Sequence, residues 1–234
     1  MHKSPKSVLV LSASPRRSGN SALLARAIAE GLAEAGNRPD FIYADDILGS
    51  FLRDCRACRK PDGCCAISDG FRSVFLEKFL PAQGFVAATP IYWYGMSSQL
   101  KAFFDRMFCY VAASYPDSPS VVASMMGKRI GLALSSEETF PTVSAGIVHQ
   151  VQEYARYTRS TFVGHVHGYG NSRGEVCRDP AAPVARARQF GRDFFTAHAT
   201  DYQIDTPRSG RVWGALEDSG AGDLHEEFKK PGAD

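Results

Sequence analysis

Apolar positions along the chain alternate between two rhythms. Residues 8–11 (VLVL) form a continuous aliphatic run that breaks into the polar stretch SASPRRSGNS, which reads as a buried strand feeding a turn-rich loop. From Ser21, SALLARAIAEGLAEAG spaces Leu24, Ile28 and Leu32 four apart, with Leu23 and Ala27 beside them, and stops at Gly36-Asn37; this predicts an amphipathic helix. Residues 41–44 predict a second strand, residues 45–69 an irregular region, and FRSVFLEKFL (71–80) a short helix. Residues 85–89 predict a third strand ending at Thr89-Pro90, since proline cannot donate to a ladder. A helix carrying Leu100, Phe103, Phe104, Met107 and Phe108 follows. Residues 128–135 predict a fourth strand, and the stretch after Ser144 a helix with Ile147, Val151 and Tyr154. Residues 161–166 predict a fifth strand, and 183–198 a last helix with Val184, Phe190 and Phe194 inward.

Five strands alternating with helical patterns predict an α/β fold, because parallel neighbours need crossover connections that cover both faces of the sheet. The domain should span residues 1–199. Residues 200–234 are rich in Gly, Pro and charge, with Trp213 and Phe228 as their large anchors, and are expected to form an arm or a disordered tail.

Composition narrows the classes further. At 234 residues and 44% hydrophobic, the chain can bury one core. A net charge of +2 gives no basic excess for nucleic acid. The aliphatic run near the start is too short for a membrane span or a signal core, so no membrane partner and a cytoplasmic location are expected. The six cysteines are then expected as thiols.

In an open parallel sheet the ligand lies beyond the carboxyl ends of the strands. The first loop offers hydroxyls at Ser12, Ser14, Ser18 and Ser21, the amide of Asn20, the guanidinium groups of Arg16 and Arg17, and Gly19 before the helix. Such groups at a helix start suit a phosphate, although a Ser/Asn cap with solvated arginines would look the same. Neither a Walker lysine pattern nor Gly-x-Gly-x-x-Gly is present. The third loop, TPIYWYGMS (89–97), sets Tyr92, Trp93 and Tyr94 at a strand end, as a flat ligand would require, though any one ring could be core or a subunit contact.

SASPRRSGNS after the first strand and TPIYWYGMSSQLKAFFDRM after the third resemble the NAD(P)H-dependent FMN reductase family of flavodoxin-like proteins, together with the related iron–sulfur flavoproteins. The resemblance covers roughly residues 6–198. It implies a flavodoxin-like, doubly wound, five-stranded parallel sheet of order 2-1-3-4-5, and tight noncovalent FMN. Ser14, Arg16, Gly19, Asn20 and Ser21 match the positions that hold the phosphate. Pro90, Ile91, Tyr92, Trp93, Tyr94 and Gly95 match those at the ribityl chain and isoalloxazine. Ser135 and Ser136, with Glu137, occupy the place of a third flavin-contacting loop but lack its usual glycines, and Ala13 stands where relatives often have glycine. The implied activity is hydride transfer from NAD(P)H, as co-substrate, through FMN to a small acceptor such as a flavin or quinone. No catalytic acid or base is nominated, since none is required.

Iron–sulfur relatives carry a cluster motif where this chain has DCRACRKPDGCCAISDG. Cys55 and Cys58 have Cys-x-x-Cys spacing, but Pro61 stands where a third ligand would be expected, and Cys64 and Cys65 are adjacent. Packed free thiols therefore rank ahead of a [4Fe–4S] cluster, with structural zinc third, and no metal is assigned. His165 and His167 are expected to be hydrogen-bonded histidines at a strand end, and Glu137 and Glu138 a solvated turn. The helix from Ser98 is apolar on more than one face, which predicts a homodimer or dimer of dimers beside the aromatic loop, wrapped by the C-terminal arm. The alternative function is an electron carrier between protein partners, although such carriers are typically shorter and more acidic. A fold kept for binding without turnover is the third.

Overall fold

The structure is a computed structural model and describes residues 4–53 and 59–197. Five parallel strands, β1 (Ser7–Ser12), β2 (Arg38–Tyr43), β3 (Gly84–Tyr92), β5 (Arg129–Ser136) and β6 (Thr161–Tyr169), lie in the order β2-β1-β3-β5-β6. Once the two-residue strand β4 (Gly95–Met96), antiparallel to β3, is set aside, this is the 2-1-3-4-5 order of a flavodoxin-like sheet. The strands are legible as apolar runs because both faces are covered.

Alternate residues of each strand feed two separate cores. Val8, Val10, Val86, Ala88, Ala133 and Val166 meet α1 (Asn20–Glu34) and α7 (Pro183–Asp193) on one face. Leu9, Leu11, Phe85, Ala87, Leu132 and Leu134 meet the remaining helices on the other. These are α2 (Phe71–Ser73), α3 (Ser98–Arg106), α4 (Phe108–Val111), α5 (Ser118–Met125) and α6 (Ala145–Tyr157). α1 stops in a hydrogen-bonded reversal in which Gly36, at φ +79°, donates to Ala33 and Asn37 donates to Leu32, so the predicted stop at Gly36-Asn37 has its physical cause.

Several boundaries differ from the sequence expectation. β2 begins at Arg38, and Ala44 opens a 3₁₀ turn instead of ending the strand. Beyond Ser73 the helix over 71–80 widens into a π-helical turn, Val74–Phe79, in which Leu80 donates to Phe75. That widening places Phe71, Phe75 and Phe79 in a continuous stack. α5 gave no apolar period long enough to be noticed, and α7 stops at Asp193, short of the expected 198. β3 does not end at Pro90. Pro90 remains in register with Ser135, and the strand continues to Tyr92 because the turn back into β4 supplies its final pairs, Ile91 with Met96 and Tyr92 with Gly95.

The premise of a surplus apolar helix face also needs correction. The helix breaks at Met107, and Leu100, Phe103, Met107 and Tyr110 all lie in one core, covered by residues from 45–53, 59–69 and 112–125. Among the apolar residues from Leu100 to Tyr110, Phe108 is the one that stands out, 62% exposed. The described parts of the 45–69 region are anchored by Asp69, which ion-pairs with the fully buried Arg106 and accepts from the Gly49 amide. Burial pushes the Asp69 carboxyl up, but Arg106 and the amides of Gly49 and Phe71 outweigh it and hold the group below its ordinary value. The predicted C-terminal arm, with Trp213 and Phe228, lies outside the described residues.

Candidate functional site

β1 and β3 are neighbours whose chains leave toward opposite sides of the sheet, so the cleft beyond their carboxyl ends is the topological switch point. The first and third loops both open there. Ala13 donates to Ala88 (2.7 Å), and the Ser97 hydroxyl donates back to Ala13 (3.2 Å), so the two loops share a hydrogen-bonded floor.

In the first loop, Ser14 is buried and its hydroxyl lies 3.3 Å from the Arg16 amide, closing a tight turn. A Cβ on Gly19 would stand 3.0 Å from both the Arg16 carbonyl and the Ser14 hydroxyl, so the turn is as tight as a glycine permits. Gly19 begins α1 with no side chain capping the helix and no acidic residue in its first turn. Gly19 spends its own N–H on the Arg16 carbonyl (2.9 Å), while those of Asn20, Ser21 and Ala22 have no partner among the described residues, the arrangement that favours an anion. Ser21 is buried beside them.

The two arginines separate. Arg17 leans away, paired with Asp46 and 3.7 Å over the Tyr43 ring, and it holds the Asp46 carboxyl below its ordinary value, mainly by hydrogen bonding. Arg16 is exposed and has no side-chain hydrogen bond among the described residues.

Asn20 has an unexpected role. Its side-chain amide donates to Gly170 (2.8 Å) and Ser172 (3.1 Å) and accepts from Val176 (3.3 Å). The side chain thus ties α1 to the loop after β6, leaving its backbone N–H at the helix start.

The third loop is a two-residue hairpin turn, Trp93-Tyr94, with φ of 49° and 61°. Positive φ at both positions is the geometry for which Asn-Gly is usual, and bulky residues there are strained. Such strain gathers at functional sites. It holds Trp93 96% exposed, with Tyr92 and Tyr94 more than half exposed, while Pro90, Ile91 and Gly95 lie half-buried behind. Tyr94 also approaches Phe140, ring centroids 6.0 Å apart. α3 starts on a conventional cap, with Ser97 accepting from Leu100 and its own N–H bound to Thr89.

Ser135 and Ser136 at the end of β5 are buried. The Ser136 hydroxyl donates to the Glu138 carbonyl (2.7 Å), so His167 Nε2, 2.8 Å away, must be its donor. With its proton committed, Ser136 is no nucleophile. Burial, reinforced by the charges of His165 and Arg186, pushes His167 down to about 4. His167 is therefore a neutral, hydrogen-bonded histidine; His165 is exposed.

The cysteine segment is partly described. Cys65 is buried, Cys64 half-buried, Cys109 buried and Cys177 exposed; Cys55 and Cys58 lie outside the described residues. Among the described residues no group of three His, Cys, Asp or Glu side chains could hold a metal. A tight turn, Lys60 to Cys64, seats Gly63 where a Cβ would fall 1.8 Å from the Ser114 carbonyl.

An open helix start beside a strained aromatic turn, on a flavodoxin-like sheet, offers an anion and a flat ring the groups that each would need. The sequence profile of NADPH-dependent FMN reductases matches residues 7–158. The chain belongs to that family. It is an FMN-dependent NAD(P)H oxidoreductase, and similar proteins carry related names. A Bacillus subtilis protein named as an NAD(P)H-dependent FMN-containing oxidoreductase, YwqN, is 26% identical over 185 residues, 79% of this chain and 97% of its own length. Iron-sulfur flavoprotein MJ1083 of Methanocaldococcus jannaschii is 38% identical over 100 residues, 42% of this chain and 50% of its own. The NAD(P)H:quinone oxidoreductase from Methanothermobacter marburgensis shares the fold, with a TM-score of 0.59 at 19% identity over 83% of this chain and 99% of that one.

The residues present fit FMN. The α1 start is open, and the Ser12 hydroxyl is buried at the head of the cleft with no partner among the described residues. A further concavity, unmarked by any motif, lies at the ends of β5 and β6. That cavity of about 440 Å³ is lined by Glu137, Thr139, Tyr169 and the 170–180 loop. The pairings that form it join residues far apart in the chain, and only the Tyr169 strand end could have hinted at it.

Proposed function

We propose that this reductase passes electrons from NAD(P)H to a small neutral acceptor, a flavin or a quinone, in a two-stage exchange. FMN, when bound, supplies the hydride-accepting ring. Ser14, Arg16, Ser21 and the N–H groups that follow Gly19, at Asn20 and Ser21, would hold its phosphate, and residues 90–95 with the Ser135-Ser136 backbone would flank the ring. The protein's part is to bind and orient: the α1 start neutralises the phosphate, and the exposed Trp93 turn shields one side of the ring from water. No side chain in the cleft needs to exchange a proton for this to work. The observation that carries the proposal is the uncapped α1 start joined through Ala13 and Ser97 to the strained aromatic turn. A cytoplasmic location and a homodimer complete it.

Protein purified without oxygen should be yellow, with one FMN per chain, and should oxidise NAD(P)H steadily with menadione. A colourless protein that refuses FMN, or one reduced only by a protein donor, would overturn the proposal. The names of the iron–sulfur relatives favour a second reading, a carrier holding a cluster, and iron and sulfide analysis of the same sample separates the two.

A further inference from the structure

We infer that the cavity at the ends of β5 and β6 seats the adenosine end of NADH, with Glu137 accepting from the free ribose hydroxyls, so that the enzyme takes NADH in preference to NADPH. The inference rests on the proposed function for what the nucleotide does, not for whether it binds.

The cavity has the volume of a small-molecule site, about 440 Å³. It lies at the carboxyl ends of β5 and β6, to one side of the β1–β3 switch point where a reacting ring would meet FMN. That placement suits the remote, non-reacting end of a long co-substrate better than a small acceptor that must touch the flavin. Tyr169 forms one wall, its ring set against His167 with centroids 4.6 Å apart, a fixed aromatic face for a base. The 170–180 loop forms the opposite wall and is held by the three Asn20 bonds and by the Gly170 amide donating to Ser136 (2.9 Å).

Unspent polar groups point to a sugar. Among the described residues the Tyr169 and Thr139 hydroxyls have no hydrogen-bond partner, and Glu137 uses only Oε1, accepting from Asn171 (3.1 Å). A free carboxylate oxygen is the group that distinguishes a ribose diol from its phosphate ester, since it accepts from two hydroxyls and repels a phosphate. The charge of the lining agrees: Glu137, Glu175 and Asp179 face one cation, Arg178. Glu175 accepts from the amides of Asn171 and Ser172, and Asp179 from those of Tyr169 and Ala181, which keeps both carboxylates in place. A 2′-phosphate would add close to two negative charges to that set, the like-charge juxtaposition by which sites reject ligands.

The test titrates ADP-ribose and 2′-phospho-ADP-ribose into the full-length protein by calorimetry, and compares kcat/KM for NADH and NADPH with menadione. ADP-ribose should bind at least about tenfold more tightly, and NADH should lead by a similar factor. Glu137→Gln keeps an acceptor for Asn171 while removing the charge, and should narrow both ratios to within about threefold. Glu137→Lys should reverse them. Circular dichroism establishes that each variant is folded. Equal or tighter binding of the 2′-phosphorylated ligand, no binding of either, or ratios unmoved in Glu137→Gln would overturn the inference. If ADP-ribose binds as stated and neither nucleotide is oxidised, the site stands and the proposed function falls. If both nucleotides are oxidised without preference, the proposed function stands and the site falls.

Discussion

Two helices start at the same end of this sheet, and their first turns are finished in opposite ways. α3 closes its own start: Ser97 accepts from Leu100, donates to Ala13 and binds Thr89 through its amide. α1, one strand away, is preceded by four hydroxyl-bearing or small residues and caps itself with none of them. The lesson is that capping groups in a sequence do not reveal whether a helix start is spent or on offer. Serines precede both helices, and only the geometry separates a structural cap from a cradle left open for an anion.

The largest break comes from closing the open start. Ser18→Asp sets a carboxylate at the head of α1, and FMN should bind about 100-fold more weakly while the apoprotein melts no lower, measured by flavin fluorescence and thermal denaturation. The converse change opens the closed start. Ser97→Ala removes the α3 cap and orphans the Ala13 carbonyl, so stability should fall by about 2 kcal/mol in urea titration, with a smaller change in FMN affinity.

A pH titration addresses the end of β5, where His167 bonds Ser136. His167 is held at about 4 in the fold against about 6.5 unfolded, so the unfolded chain binds the extra proton between those values. Its contribution is complete above pH 6.5 and is lost as pH falls toward 4, amounting to about 1.5 kcal/mol between pH 7.5 and 5.5. A His167→Gln variant should lose that part of the slope. The smallest effect sharpens the comparison at the strained turn. Trp93→Gly relieves a positive φ and should stabilise the apoprotein by about 1 kcal/mol while weakening FMN binding; an apoprotein no more stable than before would show the turn to be unstrained.

Legibility in the sequence followed the range of the interactions. Strands β1, β3 and β5 were plain because runs such as Val8 to Leu11 are buried on both faces, and the Gly36-Asn37 stop because its bonds are local. The hairpin at Trp93-Tyr94 was hidden by its own strain, since a tight turn is ordinarily read from Asn-Gly and Pro90 argued for an earlier end. The extra apolar residues of α3 suggested a partner chain because nothing in their spacing shows that the segments around Asp69 and Tyr115 would cover them. The polar groups of the first loop were legible by composition, yet the separation of Arg16 from Arg17 depends on Asp46 and Tyr43, and the engagement of Asn20 depends on residues far downstream.

Asn20 carries one more implication, for how the molecule is made. Its partners are Gly170, Ser172 and Val176, about 150 positions later. The start of α1 emerges early from the ribosome, but its brace is among the last parts of the described sheet to appear. A nascent chain arrested before Val176 would thus carry the right N-terminal motif without its lock, and flavin loading should belong to release, not to elongation.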